Sequence, residues 1–171
     1  MFGALIVGAG IVGNAAAFVL PIDYAAFGHY LYPGIFLLTF LANASVVVPV
    51  PYVPVVIRAA EAAPSVALVI IAAAAGSMLG EAVSFFVGRA GKRIVAGSRV
   101  YRMLHRFVDR PLVAGLFLFV LAAPLNPLFD VAGIAAGALG IRFEIFAISV
   151  FLGRLARFGA VVWIGLGLTR I

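Results

Sequence analysis

The sequence predicts an all-α membrane protein: three transmembrane helices plus two opposed re-entrant helical hairpins in an inverted-repeat-like layout, with a cytoplasmic amphipathic helix. Three observations predict it. Hydrophobic residues fill 65% of the 171 positions and charged residues 11%, against about 45–50% and 25% in soluble domains, so polar groups could not cover a soluble surface and lipid has to be the solvent. Apolar runs recur at the length of about 20 residues that a bilayer crossing needs. Two of those runs are cut by proline clusters. The length allows five or six crossings at most, at about 20 residues each, so residues 1–171 read as a single integral membrane domain with no large soluble appendage.

Taken in order, Phe2 to Ile22 is a first span whose one strongly polar side chain is Asn14. Leu31 to Ile57 follows, broken by Pro49, Pro51 and Pro54. Val66 to Val87 is a second span, carrying Glu81. Pro111 to Ile141 is broken by Pro124, Asn126 and Pro127, and Ile145 to Leu168 is a third span, carrying Arg154 and Arg157. Proline lacks the backbone donor and clashes with the preceding turn, so neither broken run continues as one helix. Each half is then about 11–15 residues, roughly 17–22 Å at 1.5 Å per residue, short of a hydrocarbon core of about 30 Å. Both read as re-entrant hairpins, over about 31–62 and 111–141, with breaks at Asn43, Pro49 and Pro51 in the first and at Pro124 in the second. Irregular backbone at membrane depth survives only under cover of protein or water, which puts the breaks inside the molecule. A proline-kinked helix crossing once is the alternative.

Seven of the twelve basic residues fall between Arg89 and Arg110, which makes that loop cytoplasmic by the positive-inside rule. Counting passes from it puts the amino terminus inside and the carboxyl terminus outside, with the hairpins entering from opposite faces. That is the layout in which transporters hold a midplane site between inverted repeats. The sequence trace of a repeat is faint: Phe86-Val-Gly88-Arg89 against Phe151-Leu-Gly153-Arg154. Within the basic loop, Val100, Met103, Leu104, Phe107 and Val108 keep helical spacing while Arg99, Arg102, Arg106 and Arg110 face the other way. Ser98 is a natural N-cap. Residues 98–110 thus read as an interfacial helix on anionic headgroups, and the net charge of +6 needs no nucleic acid. Tyr24, Phe27, Tyr30 and Tyr32 suit an aromatic belt at the other interface.

Several signals are set aside. Gly8-Ala-Gly10-Ile-Val-Gly13 matches a dinucleotide fingerprint, but no βαβ unit surrounds it. Ala9, Gly13 and Ala17 make better sense as a close helix-packing face, and such faces permit a homo-oligomer without demanding one. A secretory leader is not expected, for lack of a basic start. Asn43-Ala-Ser45 fits a glycosylation sequon inside an apolar run and carries no meaning there. With no cysteine and two distant histidines, no metal or cofactor site is expected, and no nucleophile–base pair suggests an enzyme.

What resists a bland account is charge inside the spans. Glu81, Arg154 and Arg157 are ionisable groups of the kind that face a bundle interior or a wet cavity. Asn126-Pro127 suits a helix start, aiming free amides at the second break. Two arginines and a helix amino terminus suit a phosphate oxyanion, with Glu81 and Asp130 as counter-ions or one of them as a proton carrier. Internal salt bridging that merely staples helices together is the alternative.

Gly76-Ser-Met-Leu-Gly80-Glu81, followed by Phe85-Phe86-Val-Gly88-Arg89-Ala-Gly91, resembles the glycine-acidic-aromatic-glycine-arginine block of the DedA family, also called the VTT-domain or SNARE-associated Golgi protein family. Leu41-Ala-Asn43-Ala-Ser45 leading to Pro49-Val-Pro51, Asn126-Pro127-Leu-Phe-Asp130-Val-Ala-Gly133-Ile-Ala-Ala-Gly137-Ala-Leu and Phe151-Leu-Gly153-Arg154 look like the bacterial members. The resemblance covers about residues 31–165. It implies opposed re-entrant hairpins and, in the plasma (inner) membrane of a prokaryote, movement of polyprenyl phosphate or phospholipid between leaflets. Members place a glutamate after the first proline pair and arginines at the second tip. This chain has Tyr52 and Val53, and Ala122 to Asn126, at those places, which leaves Glu81 as the acid and Arg154 and Arg157 as the anion ligands. The expectation is a lipid translocase or scramblase. A proton-coupled small-solute transporter working through Glu81 and a non-transporting scaffold are the alternatives.

Overall fold

The computed structural model describes residues 22–44, 52–92, 110–123 and 129–168, with side chains for all of these but 129–131 and 168. Every regular element among them is a helix. A 3-10 turn at Tyr24–Tyr30 leads into α1 (Leu31–Ala44), followed by α2 (Val53–Ala62), α3 (Val66–Ala90), α4 (Pro111–Ala122), α5 (Phe129–Leu139) and α6 (Phe143–Leu168). Three stretches are long and apolar enough to cross a membrane, Tyr24–Ala44, Val66–Ala90 and Phe143–Gly167, an architecture compatible with an integral membrane protein. The first is continuous α-helix only from Leu31, because Gly28 takes φ 49° and ψ −124° and interrupts it.

Local chemistry sets the ends. The Asp23 carboxylate accepts from the amides of Ala25 and Ala26, and Ser65 Oγ accepts from Leu68 N, satisfying amides that a helix start leaves unpaired. Pro54 and Pro111 sit in the first turns of α2 and α4, where the missing donor costs nothing. Gly140 ends α5 at φ +80°, with Gly140 N donating to Gly137 O and Ile141 N to Ala136 O, the paired bonds of a Schellman cap.

The long helices α3 and α6 are antiparallel. Phe85 meets Phe146 at 4.6 Å and Phe86 meets Phe143 at 5.2 Å between ring centres, while further along Phe158 and Val162 share a core with Val69 and Ala73. Each short helix lies on a long one. Along α1, Phe36 faces Gly76 and Phe40 faces Gly80; along α4, Gly115 faces Ser149 and Phe119 faces Gly153. So α1 runs parallel to α3, and α4 to α6. The following helices run back. Tyr52 packs on Phe158 at 6.1 Å and Ile57 on Gly165, which sets α2 along α6; Gly133 faces Ser84 and Gly137 faces Phe85 and Arg89, which sets α5 along α3. Each pair α1–α2 and α4–α5 is thus a helical hairpin, and the two point in opposite directions. The arms pack far more on α3 and α6 than on each other.

Glycine makes these approaches close enough. A Cβ at Gly80 would run into Phe40 O and Ala44 N, and one at Gly153 would run into Phe119 O and come up against Ala123 N, the same pair of contacts in each half. Bare backbone at such crossings lets helices gain dispersion contacts without solvent-driven burial.

The structure corrects several expectations. Asn43 lies within α1, so the first helix runs past it to Ala44, and Pro54 opens α2 instead of breaking a chain direction. Tyr24 is buried in the α1–α2–α3 core while Tyr30 is exposed, since the 3-10 turn rotates the first ring inward. The repeat register is also different: Gly153 corresponds to Gly80, not to Gly88, because Gly88 takes α5 from the other half. The first span, its glycine motif, Pro49, Pro51, Pro124, Asn126, Pro127, and the 98–110 helix with Arg99, Arg102 and Arg106 lie outside the described residues.

Gly137→Ala is expected to lower stability in detergent by about 1–3 kcal/mol through forced overpacking. Gly34→Ala, where an added Cβ meets nothing within 4 Å, should cost nothing. Denaturant titration of both variants checks this, and equal stabilities would remove close packing on α3 as a determinant of the fold.

Candidate functional site

The site is built where the long helices cross. Glu81 comes from α3 and Arg154 from α6. Arg154 Nη2 donates to Glu81 Oε1, and the two residues are 0% and 2% exposed, so the pair is withdrawn from solvent. Burial of both charges is tolerable only because each supplies the other's counter-charge. The sequence expected Glu81 as a counter-ion to the arginines, and its partner is Arg154. For Asp130, the other acid considered, the described backbone lies in α5 and the side chain is outside the description.

Why these groups converge follows from helix spacing. Ser77, Glu81 and Ser84 fall at i, i+4 and i+7 on α3, one face of a helix, and all three are buried. Neither Ser77 Oγ nor Ser84 Oγ has a hydrogen-bond partner among the described residues. In the sequence this polar stripe is three non-apolar residues in an apolar helix, of which charge alone marks out Glu81. From α1, Thr39 Oγ1 donates to Ile35 O at 2.9 Å and Asn43 Nδ2 to Thr39 O at 2.7 Å. Both are thereby satisfied by their own helix, and Asn43 contributes to the wall beside Gly80 without addressing the pair.

Arg157 lies one turn beyond Arg154. Its guanidinium carbon is 5.9 Å from the centre of the Tyr52 ring and 5.8 Å from that of Phe158, within the range of cation–π attraction. It is half-buried, and no carboxylate lies within ion-pair distance of it among the described residues. In the sequence Tyr52 is marked only by standing where the family resemblance would place a glutamate. The structure gives it a place: it precedes α2 and brings an aromatic face to the second arginine.

The hairpin arms end beside this cluster. Ala44, the last residue of α1, meets Gly80, and Tyr52 meets Arg157; Ala123, after α4, meets Gly153; Gly133, one turn into α5, lies against Ser84 and the Glu81 carboxylate. Of the anion ligands expected from sequence, Arg154 and Arg157 are thus brought together with Glu81. Asn126 and Pro127, the other two, lie outside the described residues, and Arg110, expected at the membrane surface, is exposed at the start of α4. No group of three or more His, Asp, Glu or Cys side chains among the described residues could hold a metal ion.

No protein-family model matches the chain, and comparison with curated proteins and with solved structures finds no similar one.

Replacing one partner of the buried pair, as in Glu81→Met or Arg154→Met, is expected to cost about 3–5 kcal/mol by stranding the other charge, whereas the double replacement should recover most of it. A double-mutant cycle from thermal unfolding in detergent reads this directly. Additive losses would mean that the two side chains do not act as a pair.

Proposed function

We propose that the chain is a membrane lipid translocase that moves phosphate-bearing lipids, phospholipid or polyprenyl phosphate, between leaflets. The observation that carries the reading is a buried Glu81–Arg154 pair between two antiparallel apolar helices, with the half-buried Arg157 one turn away and short of a carboxylate partner among the described residues. Intramembrane arginines are costly and mark pathways for ions or polar groups. Two of them side by side suit a phosphate oxyanion, which accepts several charge-assisted hydrogen bonds.

In this reading the two hairpins are re-entrant. Their arms of 14, 10, 12 and 11 residues extend about 15–21 Å at 1.5 Å each, well under a core of about 30 Å. Entering from opposite faces, they meet near the level of Glu81 and Arg154, as in transporters built from inverted repeats. A headgroup passes between the tips while its acyl chains stay in the bilayer. Arg157 receives the phosphate, the Tyr52 and Phe158 rings shield it from water, and Arg154 exchanges Glu81 for the phosphate midway. The resemblance of residues 31–165 to DedA-family proteins supports the same substrate class, a prokaryotic plasma membrane location and a cytoplasmic 89–110 segment.

Chemistry on the substrate is not required, because the protein only lowers the cost of carrying charge across. A proton-driven solute transporter working through Glu81 is the second reading, favoured by that carboxylate's complete burial.

Proteoliposomes with headgroup-labelled phospholipid and polyprenyl phosphate test the proposal. Wild-type protein is expected to exchange one or both between leaflets, and Arg157→Gln to slow exchange at least tenfold, the loss of about 1.4 kcal/mol or more of charge-assisted binding. Folded protein that exchanges neither lipid, or a variant that moves lipid at the unaltered rate, would remove the assignment. Uptake of solute that follows a pH gradient and is lost in Glu81→Gln would put the second reading in its place.

A further inference from the structure

A second cluster of cations lies at the C-terminal end of α3, about two helical turns, roughly 12 Å at 1.5 Å per residue, beyond Glu81. Arg89 Nη1 donates to Ile141 O at 3.2 Å, so the last turn of α3 is tied to the turn between α5 and α6. Lys92 reaches the same turn, with Nζ 2.9 Å from where a Cβ on Gly140 would sit. Arg142 follows within that turn and is exposed, as are Arg89 and Lys92. Arg110 begins α4 at this end too, since α4 runs parallel to α6 and starts beside its first turns. Among the described residues the local acid is Glu144, 3.5 Å from Arg142 Nε, with both side chains mostly exposed, a contact of little worth in water.

Directly beneath the cations the surface turns apolar. Phe86 is 52% and Val87 60% exposed, with Val83 one turn further along α3 also exposed, and Phe86 stacks on Phe143 at 5.2 Å. A ridge of exposed aromatic and aliphatic groups capped by Arg89 and Lys92, which both reach the Gly140–Ile141 turn, with Arg142 next in that turn, matches an amphiphile: one anionic end and long apolar tails.

We infer that Arg89, Lys92 and Arg142, around the Gly140–Ile141 turn, form a binding site for the phosphate headgroup of an anionic lipid whose acyl chains lie along Val83, Phe86 and Val87. The chemistry divides by residue. Arg89 is already engaged with Ile141 O and holds the turn in place, so the exposed Lys92 and Arg142 are the groups to meet the phosphate, Arg142 by giving up its contact with Glu144. Negative surface potential attracts such residues with about 1 kcal/mol each, while a zwitterionic headgroup offers no net charge to them. The site is separate from the proposed translocation path and does not depend on it, since Glu81, Arg154 and Arg157 contribute nothing to the turn.

Native mass spectrometry of the full chain in detergent, supplied with equal phosphatidylglycerol and phosphatidylcholine, tests the site. Wild type is expected to retain phosphatidylglycerol preferentially. Lys92→Gln/Arg142→Gln, both changes at exposed positions, should weaken that retention about 30-fold, and Arg58→Gln, on α2 near the far end of α6, should leave it unaltered. Equal retention of the two lipids by wild type, or undiminished phosphatidylglycerol in the double variant, overturns the inference. Displacement of the lipid by millimolar glycerol 3-phosphate would overturn it in favour of a free phosphate ligand, whereas resistance to displacement is the expected result.

Discussion

The pairing of Glu81 with Arg154 is the interaction on which the centre of this molecule depends. In a chain that is 65% hydrophobic, a lone buried carboxylate or guanidinium would have to recruit water, shift its protonation or stay unfolded, because the desolvation cost of an isolated ion is several kcal/mol even after relaxation. The pair removes that cost only if both residues are held at the same height on facing helices. Antiparallel packing of α3 on α6 supplies the height. Glycine and serine at Gly80, Gly153 and Ser149 supply the closeness, by letting the short helices come down onto the long ones without pushing them apart. Electrostatics and packing therefore set one another: the charges demand a fixed register, and the small residues let the helices approach closely in that register.

The same register explains why short helices suffice. Helices of 10 to 14 residues have few internal hydrogen bonds and expose eight end groups between start and finish, and an isolated helix of this length is marginal. Here each lies along a helix about twice its length or more. The apolar faces not used in packing, such as Leu112, Leu116 and Phe117 on α4, are left outward, where an aqueous environment would penalise them and lipid would not. A membrane reading of the composition and the observed exposure of large apolar side chains are thus two views of one fact.

Much of this was legible in sequence, and the part that was not has a physical cause. The bounds of α3 and α6 could be read to within a few residues because an apolar run with caps such as Ser65 is a local signal. The split of residues 31–62 and 111–141 into two helices each was equally local, since proline acts on its own turn. Pairing is not local. That Arg154, and not Arg157, meets Glu81 is decided by which residue shares the height of Glu81 across the α3–α6 contact, a quantity set by residues 73 apart. The repeat register is hidden for the same reason: Phe86-Val-Gly88-Arg89 resembles Phe151-Leu-Gly153-Arg154 in letters, but Gly88 and Gly153 receive different neighbours. The spacing of small residues, Gly76 and Gly80 on α3 against Ser149 and Gly153 on α6, held the correct register and is visible without coordinates once the receiving face is the question asked. Sequence does not distinguish Ser77 and Ser84, because single serines in an apolar helix commonly satisfy themselves on the preceding turn; these two do not, among the described residues.

The contact register carries one more consequence. Gly80 and Gly153 occupy corresponding places in the two halves, so the residues that follow them, Glu81 and Arg154, are the pair that an approximate two-fold between the halves would bring face to face. On such an axis every residue meets its own counterpart. Two identical halves, whether repeated in one chain or contributed by two copies of a half-length chain, would set glutamate against glutamate or arginine against arginine, and like charges at that distance in a low-dielectric interior repel strongly. Opposite charges at the axis are available only to halves that differ in sequence. The departure from symmetry at this position is therefore what allows the rest of the arrangement to be symmetric: each half keeps its long helix, its returning hairpin and its glycine contact, and the axis holds one acid and one base in contact rather than two ions that must be kept apart.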